Sequence, residues 1–144
     1  MTTPPAVMFL CVHNAGKSQM AAAIMRHLAG DRVEVHSAGT HPGTQVHDLS
    51  AVAVAELGAD MSLQVPRAID PALLARVDRV IVLGTDARID PVPGMLASVE
   101  TWVIDDPSTR GIDGLERVRI MRDDIAERVK ALANELLSLS PETL

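Results

Sequence analysis

The alternation of short buried strands with amphipathic helices is the feature that most constrains the fold of this chain. Four segments have the apolar or alternating pattern of strands, at residues 6–12, 33–37, 80–84 and 101–104. Strands that alternate with helices predict an α/β three-layer sandwich with a four-stranded parallel sheet and right-handed crossovers. No composition break marks a linker, so we expect residues 1–144 to form a single domain.

The helices are predicted from apolar spacing and from the residues that favour helix ends. The first carries apolar residues from Met20 to Leu28, and Asp48 is expected to cap the second. A short helix is predicted at 71–77 and a long one at 115–136.

Sites in parallel sheets lie at the carboxyl ends of the strands. The loops that follow the first and fourth predicted strands are therefore the candidate active-site loops.

Composition excludes several classes of function. The net charge of −6 provides no basic surface for nucleic acid. Cys11 is the only cysteine, which excludes an internal disulfide. The apolar run at 6–12 is too short for a membrane span or a signal segment. We therefore expect a cytoplasmic protein that binds neither nucleic acid nor membrane, with no bound cofactor and an oligomeric state that the sequence leaves open.

The loop after the first strand has the residues of an oxyanion site. A loop that runs from a buried strand into a helix directs its N–H groups, and the helix dipole, at a common centre. Asn14 and Gly16 tolerate the left-handed backbone that such a nest needs, and Lys17 adds a charge. Cys11 would then be a thiolate nucleophile. The predicted oxyanion-binding residues are Val12, His13, Asn14, Ala15, Gly16, Lys17 and Ser18.

The sequence of this loop permits two other interpretations. A lone cysteine at the end of a buried strand is usually a small core residue, but a core position does not require the polar residues that follow Cys11. The residues 16–18 also match the end of the nucleotide-binding P-loop. The first glycine of that motif would fall at position 11, where this chain has its cysteine, so we reject a nucleotide site.

The pattern of a cysteine, five residues, a basic residue and serine, with a late Asp-Pro, resembles the low-molecular-weight tyrosine phosphatase fold. Within that fold the chain resembles the arsenate reductases over four segments, at 11–21, 37–40, 102–107 and 118–123. The resemblance implies catalytic roles for Cys11, Lys17, Ser18 and the general acid Asp106. Lys17 departs from the arginine of the phosphatase pattern, and lysine lacks the planar fork that binds two oxygens at once.

The resemblance also implies a subfamily. Thioredoxin-coupled arsenate reductases carry two further cysteines after the third strand, whereas residues 83–88 here contain none. The chain is similar to the single-cysteine, mycothiol-dependent arsenate reductases, which transfer arsenate to mycothiol for later reduction to arsenite by a mycoredoxin. A tyrosine phosphatase and a non-catalytic oxyanion-binding domain stay open as alternatives.

Other polar residues carry weaker signals. His36, His41 and His47 lack the spacing of a metal site, so no metal is expected. His13 is expected to influence Cys11, to contact the thiol partner or to face solvent. Arginines of the last helix are interpreted as a solvated, ion-paired face. The exposed cations to test for binding of an anionic thiol are Arg67 and Arg110.

Overall fold

The computed structural model describes residues 3–138, in which all strands join one parallel sheet in the order β2-β1-β3-β4. The strands are β1 (Ala6–Cys11), β2 (Glu34–Gly39), β3 (Arg79–Leu83) and β4 (Val99–Trp102). The helices are α1 (Lys17–Ala29), α2 (Asp48–Ala55), α3 (Pro71–Arg76) and α4 (Gly114–Ser138), with 3-10 turns at Gly30–Arg32 and Pro107–Arg110. The α/β sandwich predicted from the sequence is confirmed.

The alternation of side chains along β1 explains the three layers. Val7 and Phe9 point to the cluster that α1, α2 and α4 cover, whereas Met8 and Leu10 point to the cluster beneath α3. Both faces of β1 are thus buried, as its unbroken apolar sequence predicts. None of the helices within residues 3–138 has both the length and the apolarity needed to cross a bilayer.

The strand order places a switch point beside β1. The chain passes from β1 to β2 on one side and returns to β3 on the other, so the connections leave the carboxyl ends of β1 and β3 in opposite directions. The crevice that results is the usual ligand site of such sheets. The loop that begins at Cys11 lies at this crevice.

Several local predictions differ from the structure. The fourth strand was expected at 101–104 but pairs with β3 over Val99–Trp102, because an edge strand needs no continuous apolar run. His47, not Asp48, occupies the N-cap position of α2. Among the arginines of α4, Arg122 is buried rather than solvated, because its guanidinium donates to the Ala53 carbonyl oxygen at 2.9 Å.

Candidate active site

The sulfur of Cys11 faces the loop that follows it. Cys11 is 8% exposed, and its Sγ accepts a hydrogen bond from the Asn14 N–H at 3.2 Å. The Ser18 hydroxyl lies 2.9 Å from the same sulfur. Because Ser18 Oγ also accepts from Asn14 Nδ2 at 2.7 Å, its own hydrogen is available for the sulfur. Two hydrogen bonds to the sulfur are the arrangement that a thiolate nucleophile needs.

The carbonyl groups of the loop point away from its centre. The Cys11, Val12, His13 and Ala15 oxygens accept backbone N–H bonds from Thr40, His41, Gly43 and His47, respectively. The Asn14 oxygen accepts from Gln19 Nε2 at 2.9 Å. In a planar trans peptide the N–H of one residue points opposite to the carbonyl of the residue before it. The N–H groups of residues 13–16 therefore face the inside of the loop, as an oxyanion site requires.

Two residues permit this tight loop. Asn14 has a φ of 51°, a conformation that asparagine tolerates better than most residues. Gly39 lies so close beneath the loop that an added Cβ would be 2.6 Å from the Val12 carbonyl oxygen. A side chain at position 39 would therefore displace the backbone of the loop.

The Asn14 side chain links the loop to a buried polar network. Its Oδ1 accepts from the Arg67 N–H at 2.9 Å and from Gln19 Nε2 at 3.0 Å. Gln19, which is 1% exposed, also accepts from Gln64 Nε2 and donates to the Val65 carbonyl oxygen. The sequence analysis did not predict this network, because a glutamine in a helix, such as Gln19, is usually a surface residue. Its polarity on the apolar face of α1 was the available signal.

A cavity of about 500 Å³ opens above the sulfur, and we call it the Cys11 cavity. Lys17 lies in its wall, with its Nζ 3.7 Å from the point that a Cβ on Gly84 would occupy. The opposite wall is formed by Arg117, Val118 and Met121 of α4. Phe, Trp and Tyr do not line this cavity in the part of the chain that the structure describes. The described lining therefore carries the cations Lys17 and Arg117 and the carboxylate of Asp86, and its aromatic rings are the imidazoles of His13 and His47.

Asp106 is held by an arginine that the sequence did not single out. Its carboxylate accepts from Arg117 Nε at 2.8 Å and from Arg117 Nη2 at 2.9 Å. The Arg117 guanidinium, followed by the Ser108 N–H, holds the pKa of Asp106 far below its usual range. Arg117 lines the Cys11 cavity and Asp106 does not. Asp106 also caps the Pro107–Arg110 turn, where a mobile loop was predicted.

Three other residues singled out from the sequence are exposed: His13, Arg67 and Arg110. The Nδ1 atom of His13 lies 3.0 Å from the His41 carbonyl oxygen. Within residues 3–138, His, Cys, Asp and Glu side chains form no group of three or more that could hold a metal ion. Arg110 pairs with Asp105 on the surface, at 2.9 Å. Arg67 lies on the far side of the Asn14 network, at a different cavity.

Comparison with known proteins agrees with this architecture. Residues 6–140 match the family model of low molecular weight phosphotyrosine protein phosphatases. An arsenate reductase of Bacillus licheniformis is 36% identical over 137 residues, which cover 88% of this chain and 94% of that protein.

Solved structures of arsenate reductases superpose on this chain over most of its length. A thioredoxin-dependent arsenate reductase of Corynebacterium glutamicum superposes with a TM-score of 0.79 at 29% identity. That match covers 97% of this chain and 66% of the other. An arsenate reductase in a phosphate-binding state has a TM-score of 0.78 at 30% identity, over 92% of this chain and 98% of the other.

Proposed function

We propose that this chain, which belongs to the low-molecular-weight phosphotyrosine protein phosphatase family, is an arsenate reductase that transfers its arsenic adduct to an external thiol. The observation that carries the proposal is the orientation of the loop. The Cys11 sulfur and the N–H groups of residues 13–16 face one space, and Lys17 stands at its rim. Such a space can hold a tetrahedral anion against the nucleophile.

The walls of the Cys11 cavity support arsenate over phosphotyrosine. Its described lining contains no Phe, Trp or Tyr, so a phosphotyrosine ring would meet only the small imidazole rings of His13 and His47 there. Lys17 offers a point charge to a small anion without the bidentate fork of arginine. Relatives of more than 30% identity carry the name arsenate reductase, including those of Bacillus licheniformis and Staphylococcus epidermidis.

The first displacement forms a bond between sulfur and arsenic. The Cys11 thiolate attacks arsenic(V), and one arsenic–oxygen bond breaks. The departing oxygen leaves as water, so it must gain a proton. Asp106 is ionised when Arg117 holds it, and it can act only on a proton that the substrate brings. Arg117 already lines the Cys11 cavity, so we expect an arsenate anion there to compete with Asp106 for its guanidinium and to free that carboxylate to relay the proton.

The second displacement requires a thiol from outside the chain, because Cys11 is the only cysteine. The sulfur of the incoming thiol bonds to arsenic, and the bond to Cys11 breaks, so arsenic stays at the +5 state on this protein. Reduction follows when a second thiol attacks the sulfur of the released adduct. That attack forms a disulfide and releases arsenite. We assign the acceptor as mycothiol and the downstream reductant as a mycoredoxin.

The test measures arsenite release from arsenate. The protein is incubated with mycothiol and mycoredoxin in one reaction, and with thioredoxin and its reductase in another. We expect release only in the first, and none with Cys11→Ser. Release with thioredoxin alone would overturn the choice of thiol, while release by neither system would overturn the reductase.

A second measurement separates the enzyme from a non-catalytic oxyanion-binding domain and from a phosphatase. Arsenate should protect Cys11 from rapid alkylation by iodoacetamide at neutral pH. A slow alkylation that arsenate leaves unchanged would favour the non-catalytic domain. Efficient hydrolysis of a phosphotyrosine analogue, with no arsenite release, would favour the phosphatase.

A further inference from the structure

A second cavity, of about 630 Å³, lies on the other side of the Asn14 network. It shares no lining residue with the Cys11 cavity. Arg26 and Arg67 both line it, so we call it the Arg26–Arg67 cavity. Gln19 and Gln64 close the side that faces the catalytic loop.

Neither arginine has a carboxylate partner among residues 3–138. In that part of the chain Arg26 donates to neutral acceptors, Gln64 Oε1 at 2.7 Å and the Val35 carbonyl oxygen at 3.0 Å. The Arg67 guanidinium has no hydrogen-bond or ion-pair partner among residues 3–138. Partial burial, followed by repulsion from Arg67, lowers the pKa of Arg26. Most arginines of this acidic protein pair with a carboxylate, as Arg117 does, whereas Arg26 and Arg67 line one cavity without such a partner among residues 3–138.

The two carboxylates in the wall, Asp60 and Asp70, accept hydrogen bonds from backbone N–H groups rather than from these arginines. Asp60 accepts from the Ser62 N–H at 2.7 Å, and Asp70 caps α3 by accepting from the Ala72 N–H at 3.0 Å. Neither forms an ion pair with an arginine of the cavity within the described part of the chain. Both carboxylates therefore serve local backbone turns, and the arginines keep N–H donors for a ligand.

The chemistry of the cavity indicates the ligand. A guanidinium presents a planar fork of donors that matches two oxygens of a phosphate, and two guanidinium groups match its two charges. The volume exceeds what one phosphate fills. Leu73, with the exposed side chains of Leu63 and Val65, offers apolar surface to an organic group. We propose that Arg26 and Arg67 bind the phosphate group of a small phosphomonoester, or free phosphate, at a site separate from Cys11.

The test is a nuclear magnetic resonance titration of the ¹⁵N-labelled chain. One arm uses inorganic phosphate and the other glucose 6-phosphate. The side-chain amide of Gln64 reports the Arg26–Arg67 cavity, because Gln64 accepts from Arg26. The backbone N–H groups of Ala15 and Gly16 report the catalytic loop. We expect the two groups of signals to titrate with different midpoints.

Three variants decide the outcome. Arg26→Met and Arg67→Met should each raise the midpoint of the Gln64 signal at least tenfold while the Ala15 signal titrates as in the parent. Arg32→Met is the matched control, since Arg32 also donates only to carbonyl oxygens and lies at another surface. It should change neither midpoint.

The two arms identify the source of the phosphate. Tighter binding of glucose 6-phosphate at Gln64 would assign the cavity to an organic ester, and equal or tighter binding of inorganic phosphate would assign it to the free ion. The proposal would be overturned if the Gln64 signal did not move on addition of either ligand. It would also be overturned if Arg26→Met and Arg67→Met left the Gln64 midpoint at its value in the parent protein.

Discussion

Replacing Arg117 by methionine should release Asp106 and raise the pKa of its carboxyl group. In the parent protein two hydrogen bonds of 2.8 and 2.9 Å join the side chains. Methionine keeps the apolar stem that packs in the wall of the Cys11 cavity and removes both donors. The charge and the hydrogen bonds change, while most of the packing does not.

The size of the effect follows from exposure. The side chains of Arg117 and Asp106 are 34% and 35% exposed, so solvent screens much of their attraction. Exposed pairs contribute about 0–1 kcal/mol, and the bidentate geometry places this one near about 1 kcal/mol. Because Arg117 is the main cause of the lowered pKa, Asp106 should titrate at a higher pH in the variant.

The sign of the pH dependence is fixed by the direction of the shift. The pair lowers the folded-state pKa of Asp106, so its stabilisation is complete above the unfolded value of about 3.9. It is lost as the pH falls through the folded value. Arg117→Met should therefore lower the free energy of unfolding by about 1 kcal/mol at pH 7, and the difference should shrink in acid.

The assay combines urea unfolding at several pH values with titration of the Asp106 carboxyl carbon by nuclear magnetic resonance. Arg119→Met is the control, because Arg119 lies on the same helix as Arg117 and makes a similar paired contact with Glu56, the C-cap residue of α2. It should alter stability without moving the Asp106 titration. An Asp106 midpoint that stays constant or falls in Arg117→Met would refute the reasoning.

Further predictions concern the loop. Gly39→Ala should reduce arsenite release and lower the free energy of unfolding in urea by about 1–3 kcal/mol, because the added Cβ would clash with the Val12 carbonyl oxygen. Gly43→Ala is the control and should have a small effect in both assays, because its added Cβ would lie 3.7 Å from the nearest atom. Asn14→Gly should keep the left-handed backbone but cost about 1–3 kcal/mol in urea unfolding, because its partners lose their hydrogen bonds. Ser18→Ala should slow alkylation of Cys11 roughly tenfold, because a thiolate would lose one of its hydrogen bonds. Alkylation at the parent rate would contradict this.

The main architecture could be predicted because its signals are local. The apolar run of β1 and the polar residues after Cys11 are contiguous, and the parallel topology brings such loops to one edge of the sheet. The position of β4 was predicted less well, because an edge strand that packs on one side carries a weaker pattern. The predicted catalytic roles of Lys17 and Asp106 stay predictions.

The sequence by itself determined that a cysteine and a loop with the residues of an oxyanion site follow the first buried strand. These features are local, because the periodicity of a strand and the composition of a loop depend on a few neighbouring residues. Only the tertiary structure decided which charges meet. Arg117 pairs with Asp106, eleven positions away, Arg122 donates to the Ala53 carbonyl oxygen, and Arg26 and Arg67 line one cavity without a carboxylate partner among residues 3–138. These pairings depend on distances through space, which helix and sheet packing sets and which no local pattern encodes.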